Sequence, residues 1–336
     1  MVAQIDRDYV SARPTRLWSR LLSYALFEGR PLTTRGRWIN PLIRGQARAL
    51  QFLPQFKEVE KPAYILGTGR SGTTILGIVL SMHRQVGFLN EPKLLWAHLH
   101  PNEDLIGSYN RNRANYRLGA SDVTPALKRK AHKIFAGYLA LSGSKRVVDK
   151  YPELIFRTGF VEEIFPDARF LFLSRGGRAT CASIDGWSRR LGVEENGEKH
   201  DWWGADDRKW TLLCEQIVPE HPDLFEHSDT FADLDDTARA AVEWIVTMRE
   251  GMELMRTPGK AVLHVPYEEL CAKPRDWALK LESFLDLEHD EVFANYAART
   301  LSDPARRIDI DLPSWLQPIF DQTESDLAAL SAKSAI

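Results

Sequence analysis

Beyond Pro62, short apolar runs alternate with longer stretches whose apolar residues recur at helical spacing. The runs at 63–66, 86–89, 146–148, 169–173 and 262–265 read as strands. The periodic stretches at 72–82, 124–141, 153–165, 176–189 and 232–256 read as helices. Apolar strands alternating with helices predict a parallel sheet covered on both faces, a three-layer α/β/α fold of the P-loop nucleotide-binding kind. In such a sheet, ligands bind beyond the carboxyl ends of the strands. The polar candidates fall there: 67–74 after the first strand, Glu91 after the second, Lys150 after the third and Arg175 after the fourth.

The pattern divides the chain into an N-terminal extension, 1–60, and an α/β domain, 61–336. Within the domain, 190–230 has sparse periodicity, many acids and the Trp202-Trp203-Gly204 triplet, so it reads as an insertion or lid. In the extension, Leu17, Trp18, Leu21, Leu22, Ala25 and Leu26 recur at helical spacing beside Arg13, Arg16 and Arg20. That is a basic amphipathic helix. Two readings stay open: residues 13–50 touch an anionic membrane surface, or the helix packs on the main domain or on a second copy in a homo-oligomer.

Composition narrows the classes. The 336 residues are 44% apolar and 27% charged, with net charge −2, which excludes nucleic acid as a partner for the whole surface. The extension alone carries ten Lys and Arg against five Asp and Glu. Cys181, Cys214 and Cys271 follow no metal spacing and read as free thiols. No run of eighteen apolar residues and no apolar leader segment occur. The expected location is therefore cytoplasmic, peripheral at the inner membrane face if the extension binds lipid.

The segment from Tyr64 to Thr74 feeds an apolar strand through a glycine-rich loop into a helix, which aims backbone N–H groups at an anion. Arg70 and the hydroxyls of Ser71, Thr73 and Thr74 add donors suited to phosphate oxygens. Gly67 and Gly72 have the spacing of the triphosphatase loop, but Thr73 stands where its lysine belongs. Gly67, Gly69 and Gly72 also match the dinucleotide fingerprint, with Glu91 about twenty residues on as a ribose-binding acid. A nicotinamide-dependent oxidoreductase is the alternative this match supports. A non-enzymatic membrane-surface protein on a degenerate nucleotide fold is the other.

Gly69-Arg70-Ser71-Gly72-Thr73-Thr74 resembles, position for position, the 5′-phosphate loop of sulfotransferases that use 3′-phosphoadenylyl sulfate (PAPS). A second anion site fits the same family. Arg175 ends the fourth strand and Ser183 follows eight positions later, about two helical turns on. Ile164 to Phe170, and Val262 to Leu270 with Lys273-Pro274 and Phe284-Leu285, extend the resemblance to about 62–287. It implies PAPS as donor and 3′-phosphoadenosine 5′-phosphate (PAP) as product, with Gly69, Arg70, Ser71, Gly72, Thr73, Thr74, Arg175 and Ser183 binding the nucleotide and Tyr267 near its adenine. No metal is implied.

By the same likeness, Arg70 and Lys150 are cations aimed at the leaving oxygen. Pro152 stands where cytosolic relatives carry a histidine base. Bacterial and Golgi-type members use a glutamate after the second strand, which here is Glu91; it serves as base if burial raises its pKa. In the helix-capping alternative, Asn90 caps a helix with Glu91 and Pro92 in its first turn. His83, His98 and His100 are the other nearby titratable groups. The implied acceptor is a hydroxyl on a carbohydrate, glycolipid or other small molecule. Trp187, Trp202, Trp203 and Trp210 either line its groove or form local core. Arg306 and Arg307 stand in for a C-terminal phosphate-binding signature that the chain lacks.

Overall fold

The computed structural model describes residues 3–55, 57–195, 197–301 and 308–334. Five parallel strands form the central sheet: β1 (Ala63–Gly67), β2 (Val86–Asn90), β3 (Arg146–Lys150), β4 (Arg169–Ser174) and β5 (Val262–Pro266). Their spatial order is β2-β3-β1-β4-β5. All five lie where the apolar runs predict, extended by one or two residues.

Strand alternation separates two hydrophobic layers. Tyr64, Leu66, Phe170 and Phe172 point into one core with Trp96 and Trp244. Ala63, Ile65, Leu171 and Leu173 point into the other with Leu76 and Val79. The covering helices include α3 (Thr73–Ser81), α5 (Pro125–Ser142), α6 (Gly177–Leu191) and α7 (Asp236–Arg256). On α7, Gly251 is required by close approach, since a β-carbon there would run into the Phe172 ring. The helical pattern at 153–165 splits into a 3₁₀ segment, Pro152–Arg157, and a helix, Thr158–Ile164.

The N-terminal extension folds onto the β2 edge. Its main helices are α1 (Arg16–Leu26) and α2 (Asn40–Phe52). The expected helix is present, and Leu22 packs into the core as its spacing suggests, but the arginines do not face solvent. Arg16 and Arg20 point inward, whereas Trp18 is 67% exposed. The reason is the end of α3. Arg16 donates to the Ser81 and Arg84 carbonyls at 3.1 and 3.3 Å, and Arg13 donates to the Met82 carbonyl at 3.0 Å. These cations satisfy carbonyls left over where a helix stops, with a favourable dipole. The arginines of α1 are therefore not free for a membrane surface.

Arg20 forms a buried ion pair with Glu28. Glu28 also accepts from the Asn90 backbone N–H at 2.9 Å, which ties the extension to the end of β2. The 190–230 region is ordered around a small antiparallel sheet of Val193–Glu195, Glu198–Asp201 and Gly204–Ala205. Trp203 and Trp210 are core residues here.

Arg20→Met leaves Glu28 buried without its cation. The expected loss is about 3–5 kcal/mol, read as a lower urea midpoint at unchanged slope. Adding Glu28→Gln restores part of it.

Candidate active site

The site starts from the turn between β1 and α3. Gly67 at φ +136° and Gly72 at φ +108° bracket it, a backbone that disfavours any side chain. A β-carbon on Gly72 would run into the Tyr267 ring. The helix begins with no side-chain cap, so its first N–H groups stay available to an anion. Ser71 is fully buried, and its hydroxyl donates to the Thr68 carbonyl at 2.6 Å. It braces the loop. Thr73 is buried as well, whereas Thr74 faces the cavity beyond the loop.

Three arginines converge around this turn. Arg70 reaches Ser183 Oγ through Nε at 3.2 Å, and Arg175 donates to the Arg70 carbonyl at 3.2 Å. The Arg175 guanidinium lies 4.8 Å from the centre of the Tyr267 ring. The structure thus brings Arg70, Arg175, Ser183 and Tyr267 together. Burial, then the like charges of Arg190 and Arg175, pull Arg70 below its usual value. Like charges gathered in this way fit an anionic ligand. Arg190 was not singled out from the sequence. Its signal was available, since it lies two turns after Ser183 on α6.

Glu91 and Lys150 meet at the ends of neighbouring strands. The register pairs Asn90 with Lys150, so Glu91 N–H donates to the Lys150 carbonyl at 2.7 Å. Glu91 sits at φ +50° and Arg70 at φ +68°, left-handed conformations that cost non-glycine residues of order 1 kcal/mol or more. The Glu91 carboxylate forms an ion pair with Lys150 and lies 3.4 Å from Lys93 Nζ. Asn90 caps no helix; the next one, α4 (Lys93–Leu99), starts after Pro92 with no side-chain cap. The Asn90 Oδ1 is instead buried and unpartnered at the cavity wall.

The expected upward pKa shift of Glu91 is not found. Burial alone would raise it, but Lys150 and then Lys93 outweigh burial and bring it down to about 2. The side chain keeps 36% exposure because it faces the cavity. Lys93, which was not singled out from the sequence, lines the same cavity. Its Nζ reaches Glu153 Oε1 at 2.8 Å, and the chain of charges runs on to Lys209 and Glu243. Trp202 Nε1 donates to Glu243 Oε2 at 2.7 Å, which connects the lid to the same network.

Arg70, Thr74, Asn90, Glu91, Lys93 and Lys150 line one cavity of about 370 Å³. A second, of about 100 Å³, shares Glu91 and Lys93 and is walled by Trp187 and Trp202, whose rings lie 5.6 Å apart. Of the four tryptophans, two therefore face the site and two do not. His83, His98 and His100 line neither cavity. Arg306 and Arg307 lie outside the described residues. Among the described residues, no group of three or more His, Cys, Asp or Glu is placed to hold a metal ion. The dinucleotide reading loses its acid: β3 separates β2 from β1, unlike the order that puts a ribose-binding carboxylate beside the loop, and Glu91 is engaged by two lysines.

A model of the Sulfotransferase family matches residues 62–190. The protein-tyrosine sulfotransferase of Drosophila melanogaster is 26% identical over 242 residues, covering 69% of this chain and 40% of that protein. Nodulation protein NoeE of Sinorhizobium fredii is 29% identical over 129 residues, 36% of this chain and 30% of that protein. The chain thus spans less than half the length of these two relatives. Among solved structures, sulfotransferase STF9 from Mycobacterium avium shares the fold with a TM-score of 0.50 at 14% identity, over 96% of this chain and 92% of that one. The segment that matches the sulfotransferase family model, residues 62–190, carries the phosphate-type loop, Glu91, Lys150, Arg175 and Ser183.

Proposed function

We propose that this protein transfers a sulfuryl group from PAPS to an acceptor hydroxyl. One observation carries the reading: Arg70, in the β1–α3 turn, meets both Arg175 and Ser183 and lines one cavity with Glu91 and Lys150, which offers donors for two anionic groups. A donor with separate 5′ and 3′ phosphates needs both. The uncapped helix start, the cradle at Gly72 and the three converging arginines fit such a ligand.

When bound, the donor supplies an activated sulfuryl group, and the bisphosphate departs with the electrons of the broken S–O bond. Arg70 and Lys150 are placed to stabilise charge growing on that leaving oxygen. Glu91 takes the proton of the acceptor hydroxyl as the new S–O bond forms. Its low pKa without donor follows from its two lysines. A donor anion drawing Lys150 away removes one of them, which raises the basicity of Glu91 when a substrate is present.

The acceptor we propose is a hydroxyl of a carbohydrate or glycolipid. Trp187 and Trp202 offer ring faces for a sugar, and Glu153, Asp201 and His200 line the same cavity with hydrogen-bonding groups. The name of the Drosophila relative points instead to a protein tyrosine. Identifying the product formed from PAPS and a cell extract by mass spectrometry decides between them. Cys181 and Cys214 form no disulfide among the described residues, which fits a cytoplasmic setting for the reaction.

Three results are expected. Arg175→Ala weakens PAP in isothermal titration by at least about tenfold, roughly one charged hydrogen bond, yet leaves adenosine 5′-phosphosulfate, which lacks the 3′-phosphate, near wild type. Equal losses for both reject the two-site assignment. Glu91→Gln lowers turnover by about 10²–10⁴-fold while PAP affinity is kept; unchanged turnover removes Glu91 as base. In the donor-free protein the Glu91 carboxylate stays ionised down to about pH 2. Removing a neighbouring cation makes the charged form less favourable, so Lys150→Gln moves that titration upward, read by carbon NMR of labelled glutamate with Glu91→Gln as the assignment control.

A further inference from the structure

The acidic residues stop at Glu28 and resume at Glu58, while Arg30, Arg35, Arg37, Arg44, Arg48 and Lys57 fall between them. This stretch builds α2, which has two apolar sides. Ile43, Ala47 and Leu50 pack into the core. On the other side Trp38, just before the helix, is 81% exposed, Leu42 56% and Phe52 87%. Gly45, Ala49 and Leu53 are exposed as well. At the helical repeat these outward residues fall within an arc of about 100°, opposite the packed side.

A recess opens at the flank of this stripe, lined by Arg44, Arg48, Ala97, His98, Tyr109 and Asn110. No carboxylate lines it. Arg44 donates to the Tyr109 carbonyl at 2.6 Å and His98 meets Gln51 at 2.6 Å. Arg48 makes no hydrogen bond or ion pair among the described residues. An unpaired guanidinium, a second beside it and a large exposed apolar stripe on the same helix form one composite surface.

We propose that this face of α2 docks on an anionic lipid bilayer, with Trp38, Leu42, Phe52 and Leu53 entering the interface and the Arg44–Arg48–His98 recess taking a headgroup phosphate. The charge pattern selects this occupant. Two copies meeting through the stripe would oppose arginines with no acid to pair them. A nucleic acid would use the arginines but leave Trp38 and Phe52 in water. A bilayer satisfies both parts, because aromatic and aliphatic side chains partition to the acyl boundary while arginines meet anionic headgroups. Tyr109 lines both this recess and the Glu91 cavity, so the docked face adjoins the mouth of the site. The docking rests on the surface alone; the advantage to a glycolipid acceptor rests on the transfer reading above.

Co-sedimentation of the full chain with vesicles tests it. The protein is expected to bind vesicles of phosphatidylcholine with phosphatidylglycerol at about a third of the lipid, and to bind phosphatidylcholine alone much less. Trp38→Ser with Phe52→Ser lowers that binding by at least about tenfold, and Arg48→Gln lowers it with a weaker salt dependence. Both positions are exposed, so the fold and turnover of a water-soluble acceptor stay at wild-type levels. Absent binding, equal binding to both vesicle types, or binding unchanged in the double variant overturns the proposal. So does a dimer in analytical ultracentrifugation that the double variant dissolves, which would make a second copy the occupant. Vesicle binding by a protein without sulfuryl transfer would sink only the proposed reaction and leave the docking surface standing.

Discussion

Lys150 and Glu91 face each other across the carboxyl ends of two adjacent parallel strands, and much of the site is arranged around that opposition. The register that pairs Asn90 with Lys150 sets it, because the next residue must turn back toward β3 to keep its N–H bonded. The left-handed backbone at Glu91 is the local cost of that turn. Glu28, delivered by the N-terminal extension and held by Arg20, steadies the same strand end from the other side. An extension that looks separable along the chain is thereby part of the wall of the site.

The cations of the site fall into two groups with different chemistry. Lys150, Lys93 and Lys209 are matched by Glu91, Glu153 and Glu243 in a nearly buried alternating chain. Such a chain keeps every charge compensated in a low-dielectric interior, where an unpaired one would be costly. Arg70 and Arg175, with Arg190 nearby, instead repel one another. Repulsion of this kind is tolerable where solvent or an anion screens it. The positive field is thus concentrated at the β1–α3 turn, and the Glu91 side is left near neutral.

The same separation of roles appears in the extension. On α1 the arginines are structural, Arg16 bonded to carbonyls at the end of α3 and Arg20 paired with Glu28, while on α2 the arginines line an open recess. Helical periodicity and charge in the sequence look alike for the two helices. They differ only in what lies beneath them: a helix terminus with unsatisfied carbonyls in one case, an apolar core in the other.

The sequence by itself determined the strands, their parallel sense and the glycine turn, since these follow from local rules: apolar runs of strand length, helical repeats between them, and residues that tolerate left-handed backbone. It also held the candidates Arg70, Glu91, Lys150, Arg175, Ser183 and Tyr267, because strand ends in a parallel sheet all open to one side. Tertiary structure alone decided the rest. That Ser71 braces the turn, that Lys93 and Lys150 hold Glu91 low, that Trp187 and Trp202 face the cavity while Trp203 and Trp210 are core, and that the arginines of α1 point inward all depend on burial or on which side chains the fold brings into contact. Neither periodicity nor composition carries burial or long-range charge proximity, and those two quantities set both the pKa of a carboxylate and the direction in which an amphipathic helix faces.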